Sequence, residues 1–193
     1  MPAAKARRAR VVVADSLDLG DDPEIDRGER ALLGKLNKVD KTAITGNGFR
    51  DLIAAYIHHQ YGAHGLVVYR EVNLGKTIIA KDRQIDVFVM RPSDQKAIAI
   101  ECKYQDVQGT ADEKIPYALD DLAALWVPGC LVYAGRGWSK GVLHQLEASR
   151  LAAFCLPEPS LARSRATREL DYILAATFGF WEQILPASKI FRG

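Results

Sequence analysis

From Thr45 onward the apolar positions fall into regular periods. Phe49, Leu52, Ile53, Tyr56 and Ile57 recur at i, i+3, i+4, i+7 and i+8, which predicts an amphipathic helix opening after Asn47-Gly48. Leu66-Val67-Val68-Tyr69 follows a glycine-containing break and predicts a strand, which residues 76–80 either continue or cross irregularly. Residues 85–90 and 97–103 are β-prone runs on either side of the polar stretch Arg91-Pro92-Ser93-Asp94-Gln95-Lys96, the pattern of an antiparallel hairpin. Thr110-Ala111-Asp112-Glu113 reads as a capping box, and Ile115, Ala118, Leu119, Leu122 and Trp126 mark a helical face after it. Pro116 places the true start of that helix near itself, because a proline deeper in a helix removes a backbone bond. Residues 130–134 form a short buried strand, 139–153 a helix with Trp138 stapled onto Leu143, and 154–156 another strand before Pro157. A last helix runs through Leu170, Ile173, Leu174, Phe178 and Trp181.

The elements therefore run helix, three strands, helix, strand, then helical additions. The 193 residues suit one domain or one domain with a small appendage. An apolar fraction of 48% excludes an extended disordered chain. No apolar run approaches the ~18 residues of a membrane span, and Val11-Val12-Val13-Ala14 is too short for a signal-peptide core. Cys102, Cys130 and Cys155 are odd in number, widely spaced and set in apolar stretches, so they read as reduced core thiols of a cytoplasmic protein. Residues 1–44 differ in kind. Lys5, Arg7, Arg8 and Arg10 precede seven acids between Asp15 and Glu29, a charged arm or peripheral helix.

The chemistry concentrates in three residues. Glu101 and Lys103 are two apart on a predicted strand and share one face, while Cys102 turns to the other. A hairpin turn centred between Ser93 and Asp94 sets Asp86 directly across from Glu101. Two facing carboxylates repel, and a sheet built only for stability would carry Val or Thr there. A hard divalent cation relieves the repulsion, and Lys103 beside it offsets negative charge developing on a phosphate. The plainer reading is a Glu101–Lys103 surface ion pair on an edge strand.

Ile85-Asp86 and Glu101-Cys102-Lys103, on the two arms of a hairpin within this order of elements, resemble the PD-(D/E)xK nuclease superfamily, which includes many restriction endonucleases and resolvases. The resemblance covers roughly residues 48–153 and departs at Ile85, where the family carries a proline that does no chemistry. It implies an α/β fold, a restriction-endonuclease-like αβββαβ core whose mixed central sheet is flanked by helices. Residues 45–160 would be the nuclease core and 161–193 a helical extension of the same domain. Asp86 and Glu101 would hold the metal, Mg²⁺ with Mn²⁺ as substitute, and Lys103 would assist the nucleophilic water. Some members add an acid from the first helix. Asp51 stands at about that position, and Glu71 at the end of the first strand competes with it. Gln105 shares the face of Glu101 and Lys103 if the strand continues, where it orients water or phosphate; otherwise it is a turn amide satisfying its own backbone.

Cations surround this centre: Lys76, Lys81 and Arg83 before Asp86, Lys114 at the following helix, Arg136 and Lys140 after the fourth strand. Such an excess on a chain of net charge only +2 suits a groove that tracks DNA phosphates, with Lys114, Arg136 and Lys140 as the contacts. Gly135-Arg136-Gly137-Trp138-Ser139-Lys140-Gly141 invites a dinucleotide-binding reading, but its glycine spacing departs from G-x-G-x-x-G. Gly75-Lys76-Thr77 ends like a P-loop without the leading glycine, and no Cys-x-x-Cys pair suggests zinc. The expectation is an Mg²⁺-dependent deoxyribonuclease, a small restriction-like endonuclease acting as a homodimer. A repair, recombination or phage-type nuclease acting on branched or broken DNA is the alternative within that class, and a non-catalytic DNA-binding module the alternative outside it.

Overall fold

The computed structural model describes residues 44–107, 109 and 112–191; the charged lead-in and Thr110 of the predicted capping box lie outside them. The first helix, α1, is Gly46–Tyr61. Thr45 caps it, its hydroxyl accepting the Gly48 N–H at 3.0 Å and so satisfying one of the donors that a helix start leaves unpaired. Three antiparallel strands follow, β1 (Val67–Lys76), β2 (Asp82–Arg91) and β3 (Lys96–Tyr104). A 3₁₀ turn at Asp112–Lys114 leads into α2 (Ile115–Ala123), whose Pro116 sits in the first turn where no backbone bond is lost. Then come β4 (Gly129–Ala134), α3 (Lys140–Ala148), β5 (Ala152–Phe154) and α4 (Arg168–Phe178).

The sheet order is β1-β2-β3-β4-β5, with β3, β4 and β5 mutually parallel. This is an α/β fold with the αβββαβ order, a mixed sheet covered by helices on both faces. Side-chain alternation builds the two layers. Ile98, Ile100 and Cys102 of β3, with Cys130, Val132 and Ala134 of β4, join α1 and α4 in the main core. Leu131 and Tyr133 turn the other way, to Ile115, Ala118, Leu119 and Leu122 of α2 and Leu146 of α3. Glu101 and Lys103 therefore face the α2 side, in phase with Leu131 and Tyr133, their partners on β4.

Several boundaries differ from expectation. The first strand extends through Lys76, and residues 77–80 form a turn closed by the Ala80 N–H on the Thr77 carbonyl. The helix predicted over 139–153 stops at Ala148, where Ser149 turns extended, so the strand comes two residues early at Ala152–Phe154. α4 ends at Phe178 because Gly179 takes a left-handed φ of 79°, and Trp181 falls in a separate 3₁₀ turn.

Candidate active site

The β2–β3 ladder runs from Arg91↔Lys96 to Val87↔Ile100, and its register, carried one step further, sets Asp86 across from Glu101. There the pairing changes. The Asp86 Oδ2 takes the Cys102 N–H at 2.8 Å, so a side chain replaces a strand carbonyl and holds the carboxylate in place. Beyond that point β3 continues on β4 through Glu101↔Leu131 and Lys103↔Tyr133. The site thus sits in the fork where β3 leaves β2.

Lys103 Nζ donates to Glu101 Oε1 at 2.5 Å. Burial pushes the Glu101 carboxyl above its ordinary value; the Lys103 charge pulls against this, and the nearby Asp86 and Asp121 charges add to it. Burial works to lower Lys103, but the charges of Glu101 and Asp86 overcome it and hold the ammonium above its usual range. One cation thus serves two acids. Glu101 and Lys103 open into a cleft of ≈ 340 Å³ between the sheet and α2, walled by Ile85, Lys114, Tyr117 and Asp121.

The wall residues Tyr117 and Asp121 escaped the sequence reading. The signal was there: with Lys114, Ala118 and Leu122 they continue the i, i+3, i+4, i+7, i+8 stripe of α2 along its polar margin. Asp121 also changes the reading of Arg83. Its guanidinium is buried and forked onto Asp121, Nε to Oδ2 at 2.8 Å and the terminal nitrogen to Oδ1 at 2.8 Å, so it is not a phosphate-tracking cation. Lys76 is likewise paired, with Asp82.

Asp51 does not join Asp86 and Glu101. Its Oδ1 accepts from Arg50 and, at 2.9 Å, from Arg70, while Arg50 also binds Glu71 Oε1 at 2.7 Å. Both candidates for a further metal acid are thus matched by arginines, and no group of three metal-ligating side chains occurs among the described residues. Glu71 is re-aimed by a left-handed φ of 55°, a conformation costly for a residue with a side chain. Gln105 also differs from the water-orienting role: its amide nitrogen donates to Asp112 Oδ1 at 2.7 Å and to the Gly137 carbonyl at 2.8 Å, which occupies both of its protons. Lys114, Arg136 and Lys140 are exposed and have no ion-pair partner among the described residues.

A family model for the PD-(D/E)XK nuclease superfamily domain matches residues 45–181, and the chain belongs to that superfamily. No curated protein matches the sequence. Among solved structures, a protein of unknown function designated AF1548 aligns at TM-score 0.38 and 12% identity, over 74% of this chain and 71% of that one. The MspJI restriction endonuclease in complex with a 27-mer oligonucleotide aligns at TM-score 0.32 and 12% identity, over 93% of this chain and 42% of its own. The family assignment rests on the family-model match.

Proposed function

We propose that this protein is an Mg²⁺-dependent endonuclease that hydrolyses DNA phosphodiester bonds, a small restriction-like enzyme. The observation that carries the reading is the fork itself: Asp86 Oδ2 is held on the Cys102 N–H, one residue from Glu101, and Glu101 shares a single contact with Lys103 in an open cleft. The donor set fits a hard divalent cation, since carboxylate oxygens are the ligands Mg²⁺ and Mn²⁺ take. Asp86 and Glu101 would hold it. Such an ion supplies Lewis acidity toward the phosphoryl oxygen and the attacking water.

The chain's own residues do the rest. Asp86 is oriented by the Cys102 N–H before any ligand arrives, so no reorganisation is needed there. The Lys103 ammonium donates hydrogen bonds to water or phosphate oxygen and balances charge that develops during displacement. Lys114, on the cleft wall, with the exposed Arg136 and Lys140, would follow the DNA backbone. Cutting both strands calls for two such centres, hence a homodimer. The three cysteines are free and buried, which suits a cytoplasmic enzyme, and no helix among the described residues is long and apolar enough to cross a membrane.

The test is incubation of plasmid and of four-way junctions with the full chain in Mg²⁺, Mn²⁺ or EDTA. Discrete plasmid fragments that require the ion support the restriction-like reading. Preference for the junctions moves the assignment to a repair or recombination nuclease. Retarded but uncut DNA with every divalent ion overturns catalysis in favour of a binding module.

A further inference from the structure

Behind the catalytic strand lies a polar knot that joins three separate segments. Gln105, 6% exposed, follows β3 directly. Its N–H donates to the Ala134 carbonyl at 3.1 Å, and its carbonyl accepts the Gly137 N–H at 2.8 Å. Its side chain reaches Asp112 Oδ1 and the Gly137 carbonyl. The second Asp112 oxygen accepts the Ser139 N–H at 3.1 Å, and Ser139 caps α3. The two glycines of the loop are there for contact with the chain itself. A Cβ at Gly135 would lie 2.1 Å from the Gln105 carbonyl oxygen, and one at Gly137 would lie 2.4 Å from the Val107 carbonyl. Backbone is pressed on backbone, so the glycine-rich loop closes against the β3 exit.

Each cation of the candidate site hangs within two residues of this knot. Lys103 stands two before Gln105, Lys114 two after Asp112, Arg136 between the two glycines, and Lys140 next to Ser139. We infer that Gln105 and Asp112 are positioning residues that fix the spacing of Lys103, Lys114, Arg136 and Lys140, so that the four cations meet a DNA backbone as a preorganised set. The inference rests on the endonuclease reading. Its physical basis is that like charges repel and sit on flexible stems. Tying their backbones together removes ordering cost that would otherwise be subtracted from binding.

The experiment measures duplex DNA binding by the full chain in EDTA at several salt concentrations, at a temperature where circular dichroism shows every variant folded. Asp112→Asn and Gln105→Ala are compared with Tyr56→Phe, which removes a buried hydrogen bond to Asp171 in the core on the α1–α4 face of the sheet. Asp112→Asn keeps one carboxamide oxygen and is the gentler variant should Gln105→Ala not fold. Asp112→Asn and Gln105→Ala are expected to weaken binding about tenfold and to flatten the slope of log K against log salt by ~1–2, as one or two phosphate contacts are lost. Tyr56→Phe is expected to lower Tm and leave affinity and slope unchanged. If Asp112→Asn lowers Tm in the same way and leaves affinity and slope at wild-type values, the knot is structural only and the inference falls while the endonuclease reading stands. Wild-type binding that ignores salt would remove both.

Discussion

Two acid–base pairs line the same cleft and differ in how fully they are satisfied. Arg83 and Asp121 meet through a forked pair of hydrogen bonds at 2.8 Å each, and Asp121 accepts the Ile78 N–H at 2.9 Å as well. The Arg83 hydrogen bonds hold the Asp121 carboxyl below its ordinary value against the effect of burial. Lys103 and Glu101 share one contact, and burial pushes Glu101 the other way, up, with Asp86 adding to the shift. Donor geometry and neighbouring charge separate the two. Where a planar fork and a backbone N–H complete the acid, the pair is a brace between β2 and α2. Where a point charge must serve two carboxylates, the acid is left with capacity for another cation.

That contrast predicts opposite responses to mutation. Asp86→Asn keeps an oxygen for the Cys102 N–H, and Lys103→Met removes the ammonium while keeping an unbranched stem; each is expected to cost about 10³-fold or more in plasmid cleavage with the fold intact. Cleavage at the wild-type rate by either would take that residue out of the mechanism. Arg83→Met should do the reverse: a loss of about 3 kcal/mol in urea unfolding, because Asp121 is stranded, with cleavage per folded molecule changed only a few-fold. Adding Asp121→Leu should restore most of that stability, short of the bond that Ile78 then lacks. Ligand linkage gives the next effect in size. Saturating Mg²⁺ or Mn²⁺ is expected to raise the wild-type Tm, by the equivalent of about 2.7 kcal/mol at a hundred times Kd, and to leave Asp86→Asn unmoved. An equal shift in both proteins would place the ion elsewhere.

The same contrast marks what the linear sequence could show. The hairpin register follows from where its turn is centred: with the ladder closing at Arg91↔Lys96 it sets Asp86 across from Glu101, and Lys103, two further along the strand, reaches Glu101. Pairing by side chain rather than by period was hidden. Arg83 reads as one more cation before a strand, and only the packing of α2 on β2 brings Asp121 to it. Asp51 stands on the expected helix, yet Arg50 and Arg70 claim it, and the left-handed φ of Glu71 leaves no mark in composition. Asp112 looked like part of a capping box; its carboxylate instead bridges Gln105 and the start of α3, a contact made across 27 residues. The overrun of α3 has a similar cause. Leu151 and Ala152 keep the apolar count of a helix while serving the α2–α3 core and a parallel strand on β4.

The smallest effect is also the one that separates the two acids by sign. Asp121 is lowered in the folded chain, so its stabilisation is complete above the unfolded carboxylate value of about 3.9 and is lost as pH falls through the lower folded value. Glu101 is raised, so its contribution is complete below the unfolded value of about 4.3 and is lost as pH rises through the higher folded value. Urea midpoints in EDTA across this range should therefore diverge. Asp121→Asn is expected to flatten the acid limb below about pH 4, and Glu101→Gln to remove a decline that sets in above about pH 4. A Glu101→Gln protein whose stability still declines over that range would mean that ionised Glu101 carries no excess charge in the fold. The cleft would then hold two braces, and the case for a cation between Asp86 and Glu101 would lose its electrostatic basis.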